Sequence, residues 1–88
     1  MKIQAEISLY PLRCSDLTQP IQQFIELLEN NKLKVEIGPM STLVTGDSQA
    51  VFEDLQKAFE RLAEEYKVVM TAKISNACPE IGEDRQVL

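Results

Sequence analysis

The chain has 88 residues, 44% of them hydrophobic and 26% charged, with a formal net charge of −5, which allows one domain with a modest core that association with further copies would enlarge. The acidic balance disfavours nucleic acid, since phosphate backbones are gripped by Lys and Arg with release of counterions. No apolar run reaches the ~18–20 residues of a membrane span, and Met1-Lys2-Ile3-Gln4 leads straight into a strand pattern, so a soluble, cytoplasmic protein is expected.

Ile3, Ala5, Ile7 and Leu9 alternate with Gln4, Glu6, Ser8 and Tyr10, the period of a strand with one buried face; Pro11 is expected to close it by removing a ladder donor. Ile21, Phe24, Ile25 and Leu28 then recur at the spacing of one helix face. Asp16 or Thr18 can cap that helix, Pro20 suits its first turn, and Asn30-Asn31 favours a left-handed exit. Leu33, Val35 and Ile37 alternate with Lys34 and Glu36, Gly38-Pro39 turns the chain, and Ser41 to Thr45 runs as a strand ended by Gly46-Asp47. A second helix, starting near Asp47-Ser48, carries Val51, Phe52, Leu55, Ala58, Phe59, Leu62 and Tyr66 on one stripe, with Glu53, Asp54 and Lys57 among its solvated charges. Val68, Met70, Ala72 and Ile74 alternate with Val69, Thr71, Lys73 and Ser75 in a last strand.

The order is β-α-β-β-α-β. Two helices with one apolar stripe each cover one side of a four-stranded sheet, and right-handed crossovers then lead to the ferredoxin-like α+β sandwich with an antiparallel sheet. Residues 1–78 are read as this single domain and 79–88 as a polar C-terminal tail without periodicity. The first strand is expected to be central and antiparallel to the last. Its outward set, Glu6, Ser8 and Tyr10, joins Val69, Thr71, Lys73 and Ser75, with Ser41, Leu43 and Thr45 as the more polar phase of the third strand. The helices leave that face uncovered, and Tyr10, Leu43 and Val69 make it apolar enough to favour a neighbouring subunit.

The chain has no histidine, which removes the usual general base, the Ser-His and Cys-His nucleophiles and the commonest metal ligand. Cys14 and Cys78 are too few and too far apart for a disulfide scaffold or a CxxC site; they read as free thiols at opposite rims of the sheet. The carboxylates follow exposed helical spacing, except Glu6. No catalytic group, metal site or cofactor is therefore expected. A metal-chaperone domain of this fold needs a CxxC after the first strand, and an RNA-recognition domain needs central aromatics on a basic surface; both are missing.

The candidate binding residues are Glu6, Ser8, Tyr10, Met40, Ser41 and Thr42. Glu6, on a central strand, wants a cation or donor: either Lys73 across the ladder or a ligand. Tyr10 can stack on a planar ring or pack at an interface, and Ser8 can hydrogen-bond a heterocycle or a neighbour. Gly38-Pro39-Met40-Ser41-Thr42 combines turn residues, a soft apolar side chain and two hydroxyls, as hairpin chemistry or as a pocket wall.

Ile3-Gln4-Ala5-Glu6-Ile7, Tyr10-Pro11-Leu12 and above all Gly38-Pro39-Met40-Ser41-Thr42-Leu43-Val44-Thr45-Gly46 resemble the YkoF-like thiamine-binding family over roughly residues 3 to 76. The resemblance implies a ferredoxin-like domain that binds thiamine or its hydroxymethylpyrimidine moiety without catalysis and assembles through its sheets as a dimer or tetramer. It assigns the Met40 to Thr42 stretch, and with it Glu6, Ser8 and Tyr10, to the ligand. The loop after the first strand departs from the family's small residues: Arg13 there would oppose a thiazolium or attract a phosphate, leaving thiamine phosphates open. The alternative is a regulatory or assembly module of the same fold that binds an amino acid or no small molecule.

Overall fold

The computed structural model describes residues 1–13, 15–29 and 33–77. The readings of Cys14, Cys78, the Asn30-Asn31 exit and the 79–88 tail lie outside the described residues. The elements are β1 (Lys2–Leu12), α1 (Thr18–Glu29), β2 (Lys34–Ile37), β3 (Thr42–Asp47), α2 (Ser48–Ala63) and β4 (Lys67–Ser75). They form one sheet in the order β2-β3-β1-β4, with every neighbouring pair antiparallel. This is the ferredoxin-like arrangement that the element order predicts.

Asp16 provides the capping oxygen of α1: its Oδ1 accepts from the Thr18 N–H at 2.9 Å, meeting one of the donors a helix start leaves open. At α2 the N-cap is Asp47, whose carboxylate accepts from Gln49 N–H at 3.2 Å and from the Met1 α-amino group at 2.9 Å. Those bonds, led by the one from the α-amino group, hold the Asp47 carboxyl below its ordinary value.

One face of the sheet meets both helices. Ile3, Ala5 and Ile7 of β1 and Val44 of β3 are buried against Phe24 and Leu28 of α1 and against Val51, Leu55, Ala58 and Leu62 of α2. Each large apolar side chain buried in this way contributes about 1.5–3 kcal/mol. The packing is close at Gly46, where a Cβ would stand 2.6 Å from Leu33 Cδ2; glycine lets β3 pass beneath that side chain.

Two expectations about α2 are reversed. Phe52 is exposed and Asp54 is buried. Val51, Leu55, Ala58 and Leu62 set the centre of the apolar stripe, and at about 100° per residue Phe52 and Asp54 fall on opposite flanks of it. The flank that neighbouring elements cover is the one carrying Asp54.

The first strand also runs further than its proline predicts. β1 continues through Pro11 to Leu12, with Pro11 opposite Val68 of β4. Ser48 N–H donates to Met1 C=O at 2.7 Å, across the β1–β3 side. In an antiparallel strand, N–H and C=O of one residue point to the same side and alternate residues point to opposite sides. Odd-numbered residues of β1 therefore point toward β3 and even-numbered ones toward β4. The donor that Pro11 lacks would have faced away from β4, so its ring costs that ladder nothing.

Candidate functional site

β3 is shorter than β1 and pairs with it only from Lys2↔Asp47 to Ile7↔Thr42, whereas β4 accompanies β1 as far as Leu12. Among the described residues, β1 has a strand on one side only from Ser8 onward. At residue 41 the chain leaves the sheet for the β2–β3 turn, closed by a hydrogen bond of 2.8 Å from Gly38 N–H to Ser41 C=O. The notch so formed is roofed by α1.

A cavity of about 170 Å³ occupies this notch. Ser8 and Leu9 of β1, Ile21, Phe24 and Ile25 of α1, and the hairpin from Ile37 to Thr42 surround it. The α1 side is apolar; the hydroxyl-bearing residues on its border are Ser8, Ser41 and Thr42. Its volume is below the ~300 Å³ at which pockets for drug-sized molecules begin, and suits a single ring. A wider, shallower depression of about 500 Å³ continues along α1 past Leu17, Ile21 and Ile25, bordered by Ile37 of β2.

Four of the six residues singled out by sequence, Ser8, Met40, Ser41 and Thr42, therefore meet around one cavity. Thr42 lies opposite Ile7 and is 8% exposed, so it faces the helices. The third-strand residues on the open face are Leu43, opposite Glu6, and Thr45, opposite Gln4. The cavity thus lies at the sheet's end under α1, not on the face that the helices leave open.

Glu6 reaches the cavity indirectly. Ser41 Oγ donates to its Oε2 at 3.1 Å, which ties the hairpin to β1. Lys73 stands directly opposite Glu6 on β4, but the hydrogen bond on the carboxylate comes from Ser41. Glu6 is exposed, since its side of the sheet is uncovered. Tyr10 is 53% exposed and sits opposite Val69, away from the cavity.

Leu9 and the α1 residues Ile21, Phe24 and Ile25, which the sequence pattern places on buried faces, also border the cavity. Their spacing marks an apolar helix face and carries no sign that part of that face lines a cavity. Among the described residues no group of three or more His, Cys, Asp or Glu side chains is placed to hold a metal ion, and no helix is long and apolar enough to cross a membrane.

The sheet order, the paired helices and the one-ring cavity define a small ferredoxin-like α+β protein. The chain belongs to the YKOF-related family, which matches residues 2–81. Three solved structures share the fold. A Streptococcus pneumoniae protein superposes with a TM-score of 0.80 at 25% identity, covering 92% of this chain and 90% of that one. A hypothetical protein from Methanocaldococcus jannascii does so with a TM-score of 0.78 at 24% identity, over 98% of this chain and 88% of its own. A candidate thiamine biosynthesis/salvage protein from Thermotoga maritima gives a TM-score of 0.76 at 23% identity, over 84% of this chain and 82% of that one. No curated protein gives a significant match.

Proposed function

We propose that this protein binds thiamine or its hydroxymethylpyrimidine moiety in the notch between β1, α1 and the β2–β3 hairpin, without transforming it, as a carrier, buffer or sensor of the vitamin. The observation that carries the reading is the cavity of about 170 Å³, apolar on the α1 side and bordered by Ser8, Ser41 and Thr42, of which Thr42 turns its side chain toward the helices. A substituted pyrimidine has these same two needs: apolar contact for its faces and hydrogen-bond partners at its edge. Glu6, linked to the rim through Ser41, offers a negative charge to a thiazolium attached outside the ring pocket. Membership of the YKOF-related family and the name of the Thermotoga maritima neighbour agree with such a ligand.

The open face supports a second part of the proposal, a homodimer or tetramer through the sheet. Tyr10, Leu12 and Val69 lie exposed there, with Tyr10 directly opposite Val69 on the adjoining strand, and a second sheet would remove them from water. Cytoplasmic location belongs to the same proposal.

Calorimetric titration with thiamine, hydroxymethylpyrimidine and a panel of amino acids tests the reading. Heat with the first two and none with the amino acids is expected. No heat from either at high micromolar concentration would refute it, and heat from an amino acid alone would favour the regulatory module.

A further inference from the structure

We infer that the pocket reads its ligand with the main chain of Leu9, which pairs with a planar heterocycle in the plane of the sheet as β3 would have done had it continued. Every pair from Lys2↔Asp47 to Ile7↔Thr42 follows one unbroken register. Continued, it would set Ser41 beside Ser8 and residue 40 beside Leu9. The hairpin carries residue 40 away: Gly38 N–H closes on Ser41 C=O at 2.8 Å, and Met40 is 90% exposed. β3 therefore supplies no residue opposite Leu9.

The alternation fixed by the Ser48 N–H to Met1 C=O bond directs both the N–H and the C=O of Leu9 to this gap. Pro11 agrees, since the next residue of that parity is one with no N–H to spend on β4. Leu9 is half-buried and borders the cavity, where main-chain donors and acceptors that leave water require partners.

A donor and an acceptor on one residue, side by side and pointing the same way, define a chemical class. The matching ligand is a flat ring with a ring-nitrogen acceptor next to an exocyclic amino donor. Phe24, Ile21 and Ile25 from α1 give its face an apolar cover. An added peptide strand fits less well, because after Leu9 the next outward-facing residue is Pro11, which can accept but not donate. This inference rests on the functional reading above and deepens it: the 4-aminopyrimidine of thiamine belongs to the class. It also locates ring selectivity in main-chain atoms that side-chain substitution leaves in place.

The test is nuclear magnetic resonance on the ¹⁵N-labelled full chain, titrated with hydroxymethylpyrimidine and with the same compound lacking its 4-amino group. Leu9 N–H is expected to shift downfield and to exchange more slowly with water on adding the first, and the second is expected to bind at least about tenfold more weakly. If hydroxymethylpyrimidine binds by calorimetry while Leu9 N–H neither shifts nor gains protection, or if the two compounds bind equally, the inference is overturned and the functional reading stands. If neither thiamine nor hydroxymethylpyrimidine binds, the functional reading fails, and 2-aminopyrimidine and adenine at millimolar concentration become the probes. A shifted, protected Leu9 N–H with either upholds the main-chain edge; its absence with both overturns it.

Discussion

Replacing Gly38 by alanine should damage the cavity through its hairpin. A Cβ at position 38 would lie 2.9 Å from the Ser41 carbonyl oxygen, the same atom that accepts the Gly38 N–H at 2.8 Å. Both atoms are main chain, so no flexible side chain can yield, and the turn must open by a few tenths of an ångström. Weakening the hydrogen bond costs roughly 0.5–1.5 kcal/mol, and accommodating the added carbon roughly 1–3 kcal/mol. The narrower unfolded ensemble of alanine returns about 0.4–1 kcal/mol. The net loss should be about 1–3 kcal/mol, or very roughly 4–20 °C in Tm for a domain of this size. Because the opening moves Ser41 and stretches its bond to Glu6, ligand affinity should fall as well. Urea unfolding at constant m-value gives the first quantity and calorimetric titration the second. Stability within about 0.3 kcal/mol of wild type together with unchanged affinity would refute the assignment of Gly38 as the residue that shapes the pocket.

Thr42→Val keeps the volume of a buried side chain on the cavity wall and removes its hydroxyl, so thiamine binding should weaken by ~2–10-fold with far-ultraviolet circular dichroism unchanged; equal affinity would remove Thr42 from the site. Glu6→Gln should lower affinity for cationic thiamine by up to about fivefold, given the exposure of the carboxylate, and leave neutral hydroxymethylpyrimidine less affected; parallel titrations measure the difference, and equal losses for both would contradict an electrostatic role. Asp47 has a folded pKa below its ordinary value, first through the hydrogen bond from the Met1 amino group and then through that from Gln49 N–H. The stabilisation it adds is therefore present above the ordinary carboxylate value and is lost as pH falls through the folded one. Asp47→Asn should accordingly flatten the acid limb of stability against pH, which unfolding curves at a series of pH values will reveal.

Much of the fold is legible in the sequence because it depends on periods within single elements. The alternation from Ile3 to Tyr10 assigns each side of β1 correctly, and the Ile21, Phe24, Ile25 and Leu28 spacing locates α1. Where an outcome depends on what a neighbour covers, the period alone is silent. Phe52 and Asp54 flank the same stripe, and only the packing of α2 decides that the aspartate is buried and the phenylalanine is not. Pro11 reads as a strand end until the alternation of the ladder shows that its missing N–H faces away from β4.

For the site, residue chemistry identified Ser8, Met40, Ser41 and Thr42, and tertiary structure decided where they meet. Hydroxyls and a thioether beside a Gly-Pro turn are visible in one dimension. The cavity itself is a difference in length, since β4 follows β1 to Leu12 and β3 begins only at Thr42. That difference arises from the register between strands whose paired residues lie 35 to 45 positions apart, a quantity that no local pattern encodes. The sequence by itself determined which residue types suit a polar ring. The pairing of strands decided that Ser8, Met40, Ser41 and Thr42 come together at the open end of β1, under α1, where among the described residues a main-chain edge is left without a partner strand.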